Sequence, residues 1–432
     1  MILPASMRFA LFGATLVALS YGLARFAFGL FVPPIRSDLG LSPEMVGIIG
    51  ALPLISFVLA SAAAPVLAIR MGSRFTAMLS GTFAASGLLV ISQAPDARAL
   101  GIGVFACGIA TGLMMPALSG AMQVLVDRSM HGRVSSIMNA GTSVGVAIAV
   151  PAVLFLADAW RFAYGVFAAL AVFAVIATWQ VIPSVSRVTP SHAAPPAPIS
   201  ALQWWRLLRL SLFAFVMGFV SAAYWIFAPD LAVSLGGMSP GATGWLWLAV
   251  GIAGLGGAVV ADLADRNNPA ITQALMLMML ASSLALLAAS PGNLMIAGFS
   301  ALVFGLAYMS LTGLYLMTGI RLLPGRLAMG PVLPFVAVAL GQAAGSPVVG
   351  WFVNALGYAD GFALFAALGI LVAILSPLYP QSIGADVDEE RPSAEGSGLQ
   401  GAYDNQLPDA NDAQVAPENA REGSGRGADS TP

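Results

Sequence analysis

The sequence predicts an all-α membrane protein of twelve transmembrane helices, and three observations carry that reading. Apolar residues make up 58% of the chain and charged residues 9%, with a mean hydropathy of +0.87, far from the balance of a water-soluble domain. Residues 1–380 divide into long apolar segments, each long enough to cross a hydrocarbon core about 30 Å thick at about 1.5 Å per residue. Nearly all arginines fall in the short loops between them. Segments this long are helices and not barrel strands, because each must satisfy its own backbone in lipid.

In order, the spans are expected at 9–33, 45–69, 74–94, 99–126, 134–157, 161–183, 206–229, 241–262, 270–290, 294–320, 328–355 and 359–379. The first follows a lone Arg8 and lacks a small-residue cleavage site, so it reads as a retained signal anchor, with Pro33 and Pro34 marking its outer end. The second opens at Gly47, and the loop holding Arg70 and Arg74 separates it from the third. The fourth carries Cys107, the one cysteine of the chain, which excludes an intramolecular disulfide and is assigned to packing. Gly108/Gly112, Gly141/Gly145 and Gly341/Gly345 are GxxxG pairs on spans four, five and eleven, where they let helices approach closely. Trp245 and Trp247, near the outer end of span eight, suit an interfacial aromatic belt.

Cationic loops stay in the cytoplasm, so the arginines orient the chain. With the N-terminus inside, 11 arginines face the cytoplasm and 3 the opposite side (Arg36, Arg98 and Arg161), placing both termini in the cytoplasm of a bacterial inner membrane. There is no lysine. The near-neutral total conceals a split: residues 1–380 carry 15 arginines and 9 acids, net +6, whereas 381–432 carry 3 and 11, net −8. That tail has almost no large apolar residue and is expected to be a disordered, solvated acidic segment.

The chain repeats itself. A proline-rich stretch at 184–205 reads as a cytoplasmic linker between a six-helix bundle at 1–183 and another at 206–380. LGLSPEMVG (39–47) after the first span parallels LGGMSPGATG (235–244) after the seventh. Gly132-Arg133 parallels Gly325-Arg326, and Gly145 with Pro151 parallels Gly341 with Pro347. Parallel duplication of a six-helix unit is a transporter signature, with the solute site between the halves near the membrane midplane.

These residues resemble the major facilitator superfamily over 8–380. Its most specific motif, in the loop after the second span, is represented by PVLAIRMGSR (65–74), which keeps Arg70, Gly72 and Arg74 but has Ile69 at the aspartate position. The second copy, ADLADRNN (261–268), keeps Leu263, Ala264, Asp265 and Arg266 and has Asn268 for the glycine. In the family this loop is a cytoplasmic latch holding the outward-open state, so the resemblance implies a gate role for Arg70, Gly72, Arg74, Asp265 and Arg266. GIATG (108–112) lacks the family's arginine, having Val104 there, and GTSVGVAIAVP (141–151) does not reproduce the drug-antiporter glycine-proline motif. YGLARFAFGLFVPPIR (21–36) is similar to the first span of a bacterial branch of the family.

Arg25 is the one charge well inside a span, and an ionisable group at that depth is a functional-site hypothesis by default. Tyr21 at i−4 and Phe28 at i+3 share its helical face, offering a guanidinium flanked by aromatics to a carboxylate or phosphate. A rival reading lets Arg25 snorkel outward or pair with Asp38 or Asp230. The family cavity, lined by spans one, four, seven and ten, implies Met115, Tyr224, Trp225, Tyr308 and Thr312 as further substrate-binding residues, and Gln342 on span eleven adds a polar group. Lipid-interface or packing duty is the plain alternative for the aromatics. No acid lies mid-span and both histidines, His131 and His192, are in loops, which argues against coupling through a midplane carboxylate.

The expected function is a secondary transporter of a small organic solute, an organic anion countered by Arg25, working by alternating access as a monomer in the lipid bilayer. Efflux of amphipathic drug-like compounds is the alternative. Neither a cofactor nor a metal site is expected. There is no catalytic cluster for an enzyme, no filter-like loop for a channel and no basic patch for nucleic acid. GTSVG fits the hydrolase GxSxG pattern but sits within a transmembrane span, outside a strand-turn-helix context.

Overall fold

The computed structural model describes residues 4–182, 198–266, 268–323 and 329–380. The expected acidic tail and most of the expected linker lie outside them. The described residues are all-α: nine helices are long and apolar enough to cross a membrane, and the apolar stretches Thr243–Gly257 and Tyr358–Ile374 are shorter.

Helix α1 spans Ala5–Leu39 and changes to π-helical winding over Ala18–Phe26. The expectation that Pro33 and Pro34 end it is corrected: the helix runs through both to Leu39 and stops at Gly40, whose left-handed φ of 61° allows its N–H to reach the Arg36 carbonyl. Both prolines are buried among neighbouring helices, the setting in which a transmembrane helix tolerates them. Arg36 and Asp38 therefore ride on the last turns of α1 and not in a loop.

The helical stretch Pro43–Ser92 breaks at Gly72, where φ 80° and ψ 161° suit only glycine, giving α2 (43–71) and α3 (73–92). Ser42 caps α2 by accepting from the Met45 N–H, and Asp96 caps α4 (Ala97–Leu125) from Ala99. Helices α5 (His131–Leu156) and α6 (Trp160–Val181) follow. Ser200 and Gln203 form a reciprocal capping box, so α7 (Ala201–Ser234) starts five residues before the expected span. The remaining helices are α8 (Thr243–Arg266), α9 (Pro269–Ala289), α10 (Leu294–Leu322), α11 (Met329–Leu356) and α12 (Tyr358–Ile374).

The three GxxxG pairs form backbone seams, α4 on α2, α5 on α1 and α11 on α7. A Cβ on any of the six glycines would fall within 2.6 Å of a carbonyl oxygen on the facing helix, so small-residue packing and not side-chain interdigitation holds these seams. Outward faces carry apolar side chains such as Leu59, Ile102 and Phe162, as a lipid solvent permits. Trp245 is half exposed, as a belt residue is, but Trp247 is fully buried against Trp225 and belongs to the interior.

Candidate functional site

A narrow cleft lies between α1, α2, α7 and α11, and the Arg25 side chain is part of its wall. Arg25 comes from the π-helical stretch of α1, a winding that often marks functional sites. Its guanidinium carbon sits 4.9 Å from the Phe57 ring centre and 5.1 Å from that of Phe26. Among the described residues it makes no hydrogen bond or ion pair with protein. The Tyr21 and Tyr308 side chains are its electrostatic neighbours.

The rival pairing of Arg25 is overturned. Asp230 is engaged by Arg36, whose Nη1 lies 3.2 and 3.1 Å from its two oxygens, and Asp38 pairs with Arg161. Both acids are thus committed to arginines nearer the end of α1 where Leu39 lies. The Tyr358 hydroxyl also donates to Asp230, and Arg36 reaches Ser234, so α1, α7 and α12 meet at one buried carboxylate.

Trp225 forms the aromatic wall, tilted against Phe26 at 4.9 Å and edge-on to Tyr308 at 5.1 Å. Among the described residues its buried indole N–H has no partner at hydrogen-bond geometry. Gln342 donates to the Tyr308 hydroxyl at 3.1 Å and to Ser221 at 3.4 Å, fixing a polar group beside the aromatic one. The cleft narrows in both directions. One turn beyond Gly50, a Cβ on Gly47 would lie 2.3 Å from the Ser346 carbonyl, and one on Gly29 would lie 2.1 Å from that of Trp225. Towards the other end, Phe57 of α2 meets Phe335 of α11 edge-on at 5.8 Å.

Of the expected substrate residues, Arg25, Phe28, Trp225 and Gln342 line the cleft, and Tyr21 and Tyr308 flank the guanidinium. The other three neither line it nor flank the guanidinium. Tyr224 is fully buried, stacked at 4.0 Å on Phe304 and bonded to Ser300; Thr312 turns its hydroxyl back to the Tyr308 carbonyl; Met115 packs on the core. The wall of this cleft is built from α1, α2, α7 and α11. Sequence reasoning missed Phe26 and Phe57. Phe26 lies next to Arg25 in sequence and was open to notice, whereas Phe57 is brought in only by the packing of α2.

At the expected gate, Gly72 makes the turn between α2 and α3, Arg70 is exposed, and Arg74 stacks over Trp179 of α6 at 3.8 Å. Helix α8 runs to Arg266, but the side chains of Asp265 and Arg266 lie outside the described residues. Among the described residues no group of three potential metal ligands occurs.

A profile of the Major Facilitator Superfamily matches residues 14–330. Similar solved structures include a bacterial homologue of the human lysosomal transporter Spinster in an inward-facing, unoccupied conformation, with a TM-score of 0.72, 14% identity, and coverage of 88% of this chain and 97% of that one. The nucleoside transporter NupG aligns with a TM-score of 0.70 and 13% identity over 88% of this chain and 100% of its own. A POT family transporter in complex with 5-aminolevulinic acid gives 0.72 and 11% over 87% and 96%. At these identities the likeness concerns the fold alone. No curated protein sequence matches the chain.

Proposed function

Because the chain belongs to the Major Facilitator Superfamily, and is thus a multi-pass secondary transporter of small solutes and not an enzyme, we propose that its solute is a small organic anion held by Arg25. The observation that carries this reading is a guanidinium deep in the helical bundle with aromatic faces around it and no anionic partner among the described residues. Leaving a charge buried and uncompensated is costly, and a carboxylate or phosphate accepting two N–H bonds supplies the missing partner. Phe26, Phe28 and Trp225 favour an anion with a flat or apolar portion.

In this reading the twelve spans form two six-helix bundles, 1–183 and 206–380, joined by the 184–205 segment, in a monomer of a bacterial inner membrane with both termini cytoplasmic. Contacts at Gly29–Trp225, Gly47–Ser346 and Arg36–Asp230 then close the outer side, and the solute reaches Arg25 from within when Phe57 and Phe335 part. Efflux of amphipathic drug-like compounds remains a second reading, favoured by the largely apolar wall.

The experiment is ligand-induced thermal stabilisation of the purified protein with carboxylates, phosphate esters and drug-like cations, in wild type and Arg25→Ala. Stabilisation by an anion that vanishes in the variant supports the anion site. Stabilisation by cations alone, or equal anion effects in both proteins, makes Arg25 structural and turns the reading to efflux.

A further inference from the structure

A second opening is lined by residues of α7, of α12 and of the turn that follows it. Helix α12 ends at Ile374 and closes with the short turn Ser376–Leu378, while α7 begins at Ala201, so the first turns of α7 run past the end of α12. The gap between them is an open groove. Its wall is apolar, including Leu212, Val216, Val372 and Leu375, and among the described residues Arg209 is its one charged residue. Trp205 stands one turn before Arg209 and is 57% exposed; Leu212 is 61% exposed.

Arg209 is held in place without being used up. Its Nη2 donates to the Leu378 carbonyl, which pins the guanidinium across the mouth of the groove, and its other N–H groups have no partner among the described residues. A pinned guanidinium offers a phosphate paired donors at little entropic cost. An indole beside it suits the level of lipid headgroups, and basic pockets between helices on the cytoplasmic side take anionic headgroups. From Arg209 to Val216 the wall runs about 10 Å along α7, enough for several methylenes of an acyl chain.

We propose that the groove between α7 and α12 binds one anionic phospholipid of the cytoplasmic leaflet, its phosphate on Arg209 and an acyl chain along Leu212, Val216 and Val372. Charge complementarity selects this occupant: among the described residues the lining has one cation, an apolar wall and no acid. The proposal rests on the membrane placement given above and is independent of which solute Arg25 takes.

The test is thermal unfolding of the full chain in detergent with added phosphatidylglycerol or phosphatidylcholine at equal lipid-to-protein ratio, with native mass spectrometry counting retained lipids. Phosphatidylglycerol is expected to raise the midpoint several degrees beyond phosphatidylcholine and to leave one lipid bound. Arg209→Gln should abolish that difference and Arg209→Lys keep part of it. Leu212→Trp, at an exposed position, should crowd the acyl wall and also reduce it; if Arg209→Gln fails to fold without its Leu378 bond, this variant decides. Equal midpoints for the two lipids in wild type, an undiminished phosphatidylglycerol preference in the variants, or the same shift from inorganic phosphate alone would overturn the proposal. The solute response of the same samples separates its failure from that of the Arg25 site.

Discussion

Arg36 and Asp230, 194 residues apart, are joined by one guanidinium nitrogen lying 3.2 and 3.1 Å from the two carboxylate oxygens. Asp230 is almost fully buried and Arg36 only partly so, which protects this pair more than the exposed Arg161–Asp38 pair. Asp230→Asn keeps the shape and removes the charge, leaving Arg36 without its counter-ion, at a cost on the order of 3 kcal/mol. The loss should fall on the closed arrangement of α1, α7 and α12. A cysteine placed by Ser346→Cys should then react several-fold faster with an impermeant maleimide added from outside. The assay has little background, since the native Cys107 is buried. Equal labelling with and without Asp230→Asn would remove the pair from the closure.

The Arg161–Asp38 pair should behave differently. Both side chains are more than 40% exposed, and exposed pairs contribute about 0–1 kcal/mol. Arg161→Gln should therefore shift the melting temperature little and leave outside labelling unchanged.

Phe57→Leu keeps an apolar side chain near Arg25 but deletes the ring face 4.9 Å from its guanidinium. A cation–π contact contributes about 0.5–2 kcal/mol, so if the ring helps hold Arg25 in its binding pose, anion affinity should fall roughly twofold to thirtyfold. Isothermal titration with the best stabilising anion measures it.

Gly29→Ala and Gly47→Ala each place a methyl within 2.3 Å of a carbonyl oxygen on the facing helix. Backbone contact of this kind cannot be relieved by a rotamer change, and overpacking typically costs about 1–3 kcal/mol. Both variants should unfold at lower temperature and label faster at the Ser346→Cys position. A labelling rate equal to that of the parent would show that the seams do not close that face.

The membrane-spanning character, Arg25 and the glycine seams were legible in the sequence because each depends on local composition or spacing. Lipid-length apolar runs, a mid-span charge and GxxxG are read one helix at a time. What was not legible depends on which helix faces which. Trp247 looks like its neighbour Trp245 until α7 brings Trp225 against it. Two adjacent prolines read as a helix end, yet buried neighbours carry α1 through them and so deliver Arg36 to Asp230. The π-helical winding around Arg25 has no compositional signature, and the placement of Phe57 is a matter of α2 docking.

One continuous helix carries both ends of this arrangement. Arg25 and Arg36 sit eleven residues apart on α1, about three turns, with no break in the helix between them. If a solute binds at Arg25 as proposed, its occupancy and the state of the ion pair are linked through this one helix. Linkage of equilibria is reciprocal: whatever factor a bound solute changes in the strength of the Arg36–Asp230 pair, breaking that pair changes in the apparent affinity for the solute. The two arginines form a thermodynamic cycle whose fourth side can be calculated once three have been measured.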